Sequence, residues 1–140
     1  MSSAVAVMWL FSTLVKLVFS YALDTSPKDA SCAQALAFGG AKLPEGAYDE
    51  HCTVEAWLDT SYDATFRMPR DGVRDWLKAT YPHAPEPHSE YCDDGADVCL
   101  DLTGGGHDAP PAGADANAVE VDVTYEGHGR ALVRFTAYTV

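Results

Sequence analysis

Four cysteines are the residues of this sequence with the most defined chemistry. Cys32, Cys52, Cys92 and Cys99 form an even set in a small domain behind an apolar N-terminal segment, a setting in which cysteines form disulfides. Three pairings are possible. We favour Cys32 with Cys52 and Cys92 with Cys99, because each pair flanks a turn-rich loop that a bridge would close. A zinc site is disfavoured, since four-cysteine zinc sites usually begin with a CxxC pair and the sequence has none.

The histidines offer a second candidate site. His83 and His88 lie near Glu86 and Glu90 in the stretch PHAPEPHSE, where three prolines favour an extended loop and no helix or strand sets the geometry of metal ligands. We therefore predict neither a metal nor another cofactor. The alternative to a binding function is that the protein is a small secreted enzyme of the hydrolase type, with its site in the loops around residues 83–97.

Motifs for catalysis and phosphate binding are missing from the sequence. There is no Gly-x-Ser-x-Gly turn, and the three glycines at 104–106 are not followed by the Lys-Ser or Lys-Thr of a phosphate loop. Asp93, Asp94 and Asp97 lack the spacing and the closing glutamate of an EF-hand calcium loop. No catalytic residue is assigned, and we expect the protein not to be an enzyme.

Charge restricts the possible partners. The net charge is −12 over the chain and, with Lys16 left out, −13 after residue 23, where all 21 acidic residues lie. Such a surface repels polyanions, so we expect no nucleic-acid partner.

The N-terminal apolar segment, residues 4–23, predicts a membrane location. Its twenty residues suit a membrane-spanning helix, and its only charge is Lys16. A cleaved signal peptide fits less well because no Lys or Arg precedes the segment, although Ser20-Tyr21-Ala22 offers a cleavage site. We predict an anchor over residues 1–23, with secretion after cleavage near Ala22 as the alternative. Disulfides require the following domain on the oxidising, extracytoplasmic side.

The first part of the exported chain predicts a linker, a short helix and a hairpin. Residues 24–31 are polar and serve as the linker. Ser31 with Gln34 forms a capping box for a helix that ends at Gly39-Gly40. Alternating apolar residues predict one strand from Cys52 and a second over residues 62–68, with Asp59-Thr60-Ser61 as the turn.

The second part predicts one main helix and three further strands. Apolar positions recur at helical spacing from Val73 to Tyr81, and Pro82 ends the helix. Alternation over residues 98–102 predicts the next strand. A three-residue loop at 127–129 keeps the apolar residues of the last two strands on one side and pairs Asp122 with Arg134. The fold class is α+β: residues 32–140 form two layers, an antiparallel sheet of about five strands covered by one helix, in the order ββαβββ.

The sheet side away from the main helix carries more aromatic surface than a solvated face needs. It is our candidate interaction face, since aromatic residues and arginine are enriched in protein interfaces. An alternative is that residues 33–38 fold over this side, held by a Cys32–Cys52 bridge, and bury Trp57 and Leu132. The residues predicted for the face are Trp57, Arg67, Leu132, Arg134 and Tyr138.

The chain from residue 43 onward resembles a known group of sequences. The strings LPEGA, TFRMPRDGVRDWL and VTYEGHGRALVRFTAYTV, with the loop and strand of residues 92–102 between them, resemble short uncharacterised actinobacterial proteins with an N-terminal membrane segment. The resemblance implies a membrane segment and a small exported domain. That family has no assigned activity, so no site residue is transferred.

These observations together predict a membrane-tethered extracytoplasmic domain that acts by binding. Its expected partners are the membrane, through residues 4–23, and a protein of the cell envelope.

Overall fold

Three α-helices, three short 3-10 helices and six strands make up the computed structural model, which describes residues 2–22 and 26–140. The helices are α1 (Ser2–Ala22), α2 (Cys32–Phe38) and α3 (Val73–Thr80). The strands are β1 (Lys28–Asp29), β2 (Tyr48–Ala56), β3 (Thr60–Pro69), β4 (Val98–Leu102), β5 (Ala118–Glu126) and β6 (Arg130–Tyr138). The class is α+β, as predicted.

The strands form one antiparallel sheet in the order β1-β2-β3-β6-β5-β4. The prediction of about five strands missed β1, which lies inside the predicted linker; residues 24 and 25 of that linker fall outside the described residues. Lys28 pairs with Val54, and the amide of Ala30 donates to the carbonyl of Cys52 at 2.9 Å. The bridge from Cys32 to Cys52 holds this segment beside β2, so two polar residues act as a strand without an alternating pattern.

The turn of the first hairpin lies earlier than predicted. Ala56 pairs with Thr60, so residues 57–59 form the turn, and the amide of Trp57 donates to the carbonyl of Asp59 at 3.1 Å. Thr60 belongs to β3 because it exchanges hydrogen bonds with Thr139, just beyond the end of β6. The predicted turn Asp59-Thr60-Ser61 was therefore wrong. The hydrogen bonds between Thr60 and Thr139, which are 79 residues apart in the sequence, extend β3 to Thr60.

The register of the last hairpin is confirmed. Glu126 pairs with Arg130 around a three-residue loop, and Asp122 pairs with Arg134. His128 and Gly129 have φ of 63° and 69°, the left-handed backbone that such a loop needs.

Both short helices lie on the same side of the sheet. The hydroxyl of Ser31 accepts the amide of Gln34 at 3.4 Å and caps α2, as predicted. Leu36 from α2 and Leu77 from α3 are buried in one core with Phe66 and other inward residues of the sheet. The Tyr81 hydroxyl, after α3, donates to the carbonyl of Gly39 at 2.6 Å and ties the ends of the two helices together.

The alternative in which residues 33–38 cover the opposite side of the sheet is wrong. Cys52 pairs with buried Ala64 and faces the core, so the Cys32–Cys52 bridge holds α2 on the core side. Neither α2 nor α3 covers the other side of the sheet.

The N-terminal helix α1 presents apolar side chains to its surroundings. Ten of its large apolar residues expose 45–74% of their surface, among them Trp9 and Phe11. Residue 23, the end of the predicted anchor, lies outside the described residues. Among residues 2–22 and 26–140, no helix is both long enough and apolar enough to cross a membrane.

Candidate interaction face

The side of the sheet away from α2 and α3 is an open face whose residues follow from strand parity. Neighbours within a strand point to opposite sides, and paired residues across strands point to the same side. In β6 the even-numbered residues 132–138 are half-buried, whereas the odd-numbered ones from 131 to 137 are buried in the core. The even positions of β6 and their partners in β3 and β5 therefore form the open face.

The two disulfides are those favoured from the sequence, and they lie on opposite sides of the sheet. Cys32–Cys52 joins α2 to β2 on the core side. Cys99 alternates with the inward residues Val98 and Leu100 and pairs with Asp122, so the Cys92–Cys99 bridge lies on the open face. One bridge therefore supports the core, and the other shapes the surface.

The Cys92–Cys99 bridge closes a ring at the outer edge of β4. The two cysteines are seven positions apart, and His88, just before the ring, exchanges backbone hydrogen bonds of 2.8 and 3.0 Å with Cys99. This pairing covers part of the free edge of β4, which would otherwise offer unpaired backbone groups to another chain.

An aromatic depression marks one end of the open face. Trp57 and Leu58, in the turn between β2 and β3, expose 68% and 83% of their surface. They line a shallow pocket of about 490 Å³ with Tyr138 and Thr139 at the end of β6. Continued alternation along β2 would place Leu58 on the inner side with Val54, but β2 ends at Ala56, so Leu58 is on the surface.

Arg67 and Leu132 belong to the opposite end of the face. They pair directly across β3 and β6, whereas Tyr138 pairs with Ser61, six residues along the strand from Arg67. At about 3.4 Å per residue the two ends are about 20 Å apart. The five residues predicted for the face therefore do not form one patch. Trp57 and Tyr138 lie together at one end, Arg67 and Leu132 lie at the other, and Arg134 lies between Leu132 and Tyr138 on β6.

Arg67 is held by ion pairs rather than free to bind. Its Nε lies 2.8 Å from Glu126 Oε1 and its NH1 lies 3.3 Å from Asp49 Oδ2. The hydrogen bond from Arg67 lowers the pKa of Glu126, and the same bond raises the pKa of Arg67. These pairs order the end of the face next to the hairpin loop at 127–129.

Five carboxylates lie on the open face near the edge at β4: two in the Cys92–Cys99 ring, one on β4 and two on β5. Asp101 on β4 pairs with Glu120 on β5, and Asp122 lies two residues further along β5. Partial burial raises the pKa of Glu120 and of Asp122, and the charge of Asp101 raises both further. The ring residues Asp93 and Asp94 add to the effect on Asp122. We call these five residues the acidic cluster: Asp93, Asp94, Asp101, Glu120 and Asp122.

The acidic cluster and the aromatic depression are adjacent. Tyr138 lines the depression, and its pKa is raised by burial and by the charges of Glu120 and Asp101. Arg134 lowers the pKa of Asp122, with which it pairs across the sheet, but this effect is smaller than those of burial and of the charges of Asp101 and Asp93.

The sequence carries a signal for this cluster in the alternation of β4. Alternation in β4 puts Cys99 and Asp101 on the side away from Leu100, and therefore on the side of Glu120. Once the pairing of Cys92 with Cys99 is assumed, the aspartates inside the ring must lie near that side as well.

The loops around residues 83–97 form no clear catalytic arrangement. His83 and His107 line a pocket of about 360 Å³ in which, of the residues described, none is acidic. Ligand atoms of His88, Cys92 and Cys99 lie within 4.8 Å of one another, but both sulfurs belong to the disulfide and cannot serve as thiolate ligands.

The fold and the open face together define a small, acidic, disulfide-bonded α+β domain. No protein-family model matches the chain, and no curated protein or solved structure is significantly similar to it.

Proposed function

We propose that the protein is an extracytoplasmic binding module that engages an envelope protein through the open face of its sheet. The observation that carries this proposal is the uncovered aromatic depression, in which Trp57 and Leu58 expose most of their surface. Burying such side chains against a partner removes apolar area from water, and tryptophan is enriched among the residues that dominate binding energy.

The extracytoplasmic location is supported by the disulfides. All four cysteines of the chain are paired, and disulfides persist in oxidising compartments.

We further propose that α1 attaches the domain to a membrane. Its exposed apolar side chains support this, because such a helix lowers its free energy when lipid replaces water around it. The resemblance to actinobacterial membrane-linked sequences points the same way.

The alternative of a small hydrolase has less support. A hydrolytic site needs a nucleophile or a general base oriented by a second polar group. The pocket beside His83 brings two histidines and several prolines and alanines together, without a carboxylate among its described lining residues.

Site-specific photo-crosslinking in the native membrane tests the binding proposal. A photo-reactive amino acid is placed at position 58, next to Trp57, in the full chain, and in a matched variant at the exposed position 79 on α3. We expect one discrete protein adduct at position 58 that is absent at position 79 and is lost when Trp57→Ala is added. The same adducts from both positions, or no adduct from position 58, would contradict the proposal.

A further inference from the structure

We propose that the partner segment bound by the open face is cationic, with lysine or arginine side chains over the acidic cluster and an apolar side chain in the depression beside Trp57. This inference rests on the proposed binding function and adds the chemistry of the partner. The Cys92–Cys99 ring has a specific part in it, because it supplies two of the five carboxylates.

The geometry of the sheet concentrates negative charge on one part of the face. Asp101 and Glu120 are directly paired, and Asp122 lies on the same side of β5. Directly opposite like charges destabilise a strand pair, so this arrangement carries a cost in the unbound protein. A cationic partner would remove that cost.

The ring increases the charge further. Its bridge holds the turn of residues 93–95 at the edge of β4, and both Asp93 and Asp94 act electrostatically on Asp122. Asp94 has φ of 54°, a left-handed backbone in which aspartate is tolerated better than most residues.

Positive charge on the same face does not balance the cluster. Arg67 is engaged by Glu126 and Asp49 at the far end. Arg134, the paired neighbour of Asp122, is one positive charge beside the five carboxylates of the cluster. The cluster therefore keeps a net negative charge that can attract a basic segment.

A metal ion fits the cluster less well than a protein segment. In the described part of the chain, the one group of three His, Cys, Asp or Glu side chains with ligand atoms within 4.8 Å of one another is His88 with Cys92 and Cys99. The carboxylates of the cluster are thus spread along the strands, whereas a calcium site collects oxygen ligands at 2.3–2.6 Å around one point. An extended basic segment can contact carboxylates that are spread in this way.

The depression beside the cluster would bind the apolar side chain of the partner segment. Tyr138 lies between the acidic residues and the exposed pair Trp57 and Leu58. A segment that crosses this boundary would place basic side chains on one half and an apolar side chain on the other.

Peptide binding to the full chain, held in a non-ionic detergent, tests the inference. The probe is a capped dodecapeptide of lysine and serine around a central Leu-Leu pair, and two counterparts carry glutamine or glutamate in place of lysine. Binding is measured by calorimetry at low and at physiological salt. The test variant is Asp93→Asn/Asp94→Asn, and the matched control is Asp71→Asn/Asp75→Asn, which removes the same charge next to α3 on the other side of the sheet.

We expect the lysine peptide to bind and the glutamate peptide not to bind. The test variant should weaken lysine-peptide binding about 3- to 10-fold, and added salt should weaken it as well. The control variant should stay within about twofold of the unmodified chain. Trp57→Ala should weaken the binding of the lysine peptide and of the glutamine peptide by the same factor.

Three results would overturn the inference. If the lysine and glutamine peptides bind equally well and both depend on Trp57, the partner segment is not selected for positive charge, and the proposed binding function still holds. An equal loss of lysine-peptide affinity in the test and control variants would show that the overall charge of the protein, and not the acidic cluster, attracts the peptide. Calcium binding that disappears in Asp93→Asn/Asp94→Asn would assign the cluster to a metal ion.

Discussion

A large apolar side chain that stays in water costs free energy unless something else covers it. Trp57 exposes 68% of its surface in a turn, while the core that contains Leu36, Phe66 and Leu77 lies on the other side of the sheet. The fold therefore does not depend on this residue, and its burial is available to a partner.

The first prediction separates the surface role of Trp57 from a role in the core. Trp57→Ala should change the free energy of unfolding by less than about 0.5 kcal/mol, as surface substitutions do. Leu36→Ala, which removes a fully buried side chain of α2, should lower it by about 2–5 kcal/mol. Urea denaturation followed by circular dichroism measures both. A large loss for Trp57→Ala would mean that the tryptophan is needed for folding.

The second prediction concerns two glutamates of β5 whose pKa values shift in opposite directions. The pKa of Glu120 is raised in the folded protein, so its charged form destabilises the fold above that pKa, and the penalty disappears as pH falls below the unfolded value. The pKa of Glu126 is lowered by Arg67, so its charge stabilises the fold above the unfolded pKa, and this is lost as pH falls through the folded pKa.

Glutamine substitution should therefore have opposite effects at neutral pH. Glu120→Gln should raise the melting temperature at pH 7 and Glu126→Gln should lower it, and both differences should shrink toward pH 3. Thermal unfolding across this pH range checks the signs. Shifts in the same direction would show that the two carboxylates do not lie in the environments described.

At the level of elements, each disulfide stabilises a different part of the domain. Cys32–Cys52, with a sequence separation of 20, fixes α2 over the core, and Cys92–Cys99, with a separation of 7, fixes a surface ring. A bridge across a longer loop restricts the unfolded chain more.

The third prediction follows from this difference. Replacing Cys32 and Cys52 by alanine should lower the free energy of unfolding by about 3 kcal/mol, and the change at Cys92 and Cys99 should cost less. The second variant keeps every carboxylate of the acidic cluster but frees the ring, so it should weaken lysine-peptide binding more than the first. Denaturation and calorimetry on both variants provide the comparison. The reverse order in both measurements would contradict the assignment of one bridge to the core and one to the face.

For the whole molecule, the apolar helix and the domain are separate parts of the fold. Among the described residues, the buried core contains members of α2, α3 and the sheet and none of α1. Stability should therefore reside in the domain, and attachment should reside in α1.

The fourth prediction tests that division. Deleting residues 1–25 should leave the free energy of unfolding of the domain within about 0.5 kcal/mol of the full chain. The same deletion should move the protein from the membrane fraction to the supernatant after alkaline extraction. Retention of the shortened chain in membranes would show that another surface provides the attachment.

Sequence patterns predicted those features that depend on neighbouring residues. The β5–β6 register followed from the apolar alternation and the Gly127-His128-Gly129 loop, and α3 followed from helical spacing and Pro82. The first turn was misplaced, because Thr60 joins β3 through Thr139 at the other end of the sequence. The alternative in which residues 33–38 cover the open face was also wrong, although Cys52 shares the parity of Val54 and so indicates the core side.

The sequence by itself determined which residues of a strand share a side, because alternation along a strand is a local consequence of backbone geometry. It also determined the even set of cysteines and the acidic character of the surface. Only the tertiary structure decided that β1 adds a sixth strand, that Thr60 belongs to β3, and that β4 pairs with β5 so that Asp101 lies opposite Glu120. These features depend on contacts between distant segments, which form only when the whole sheet is assembled.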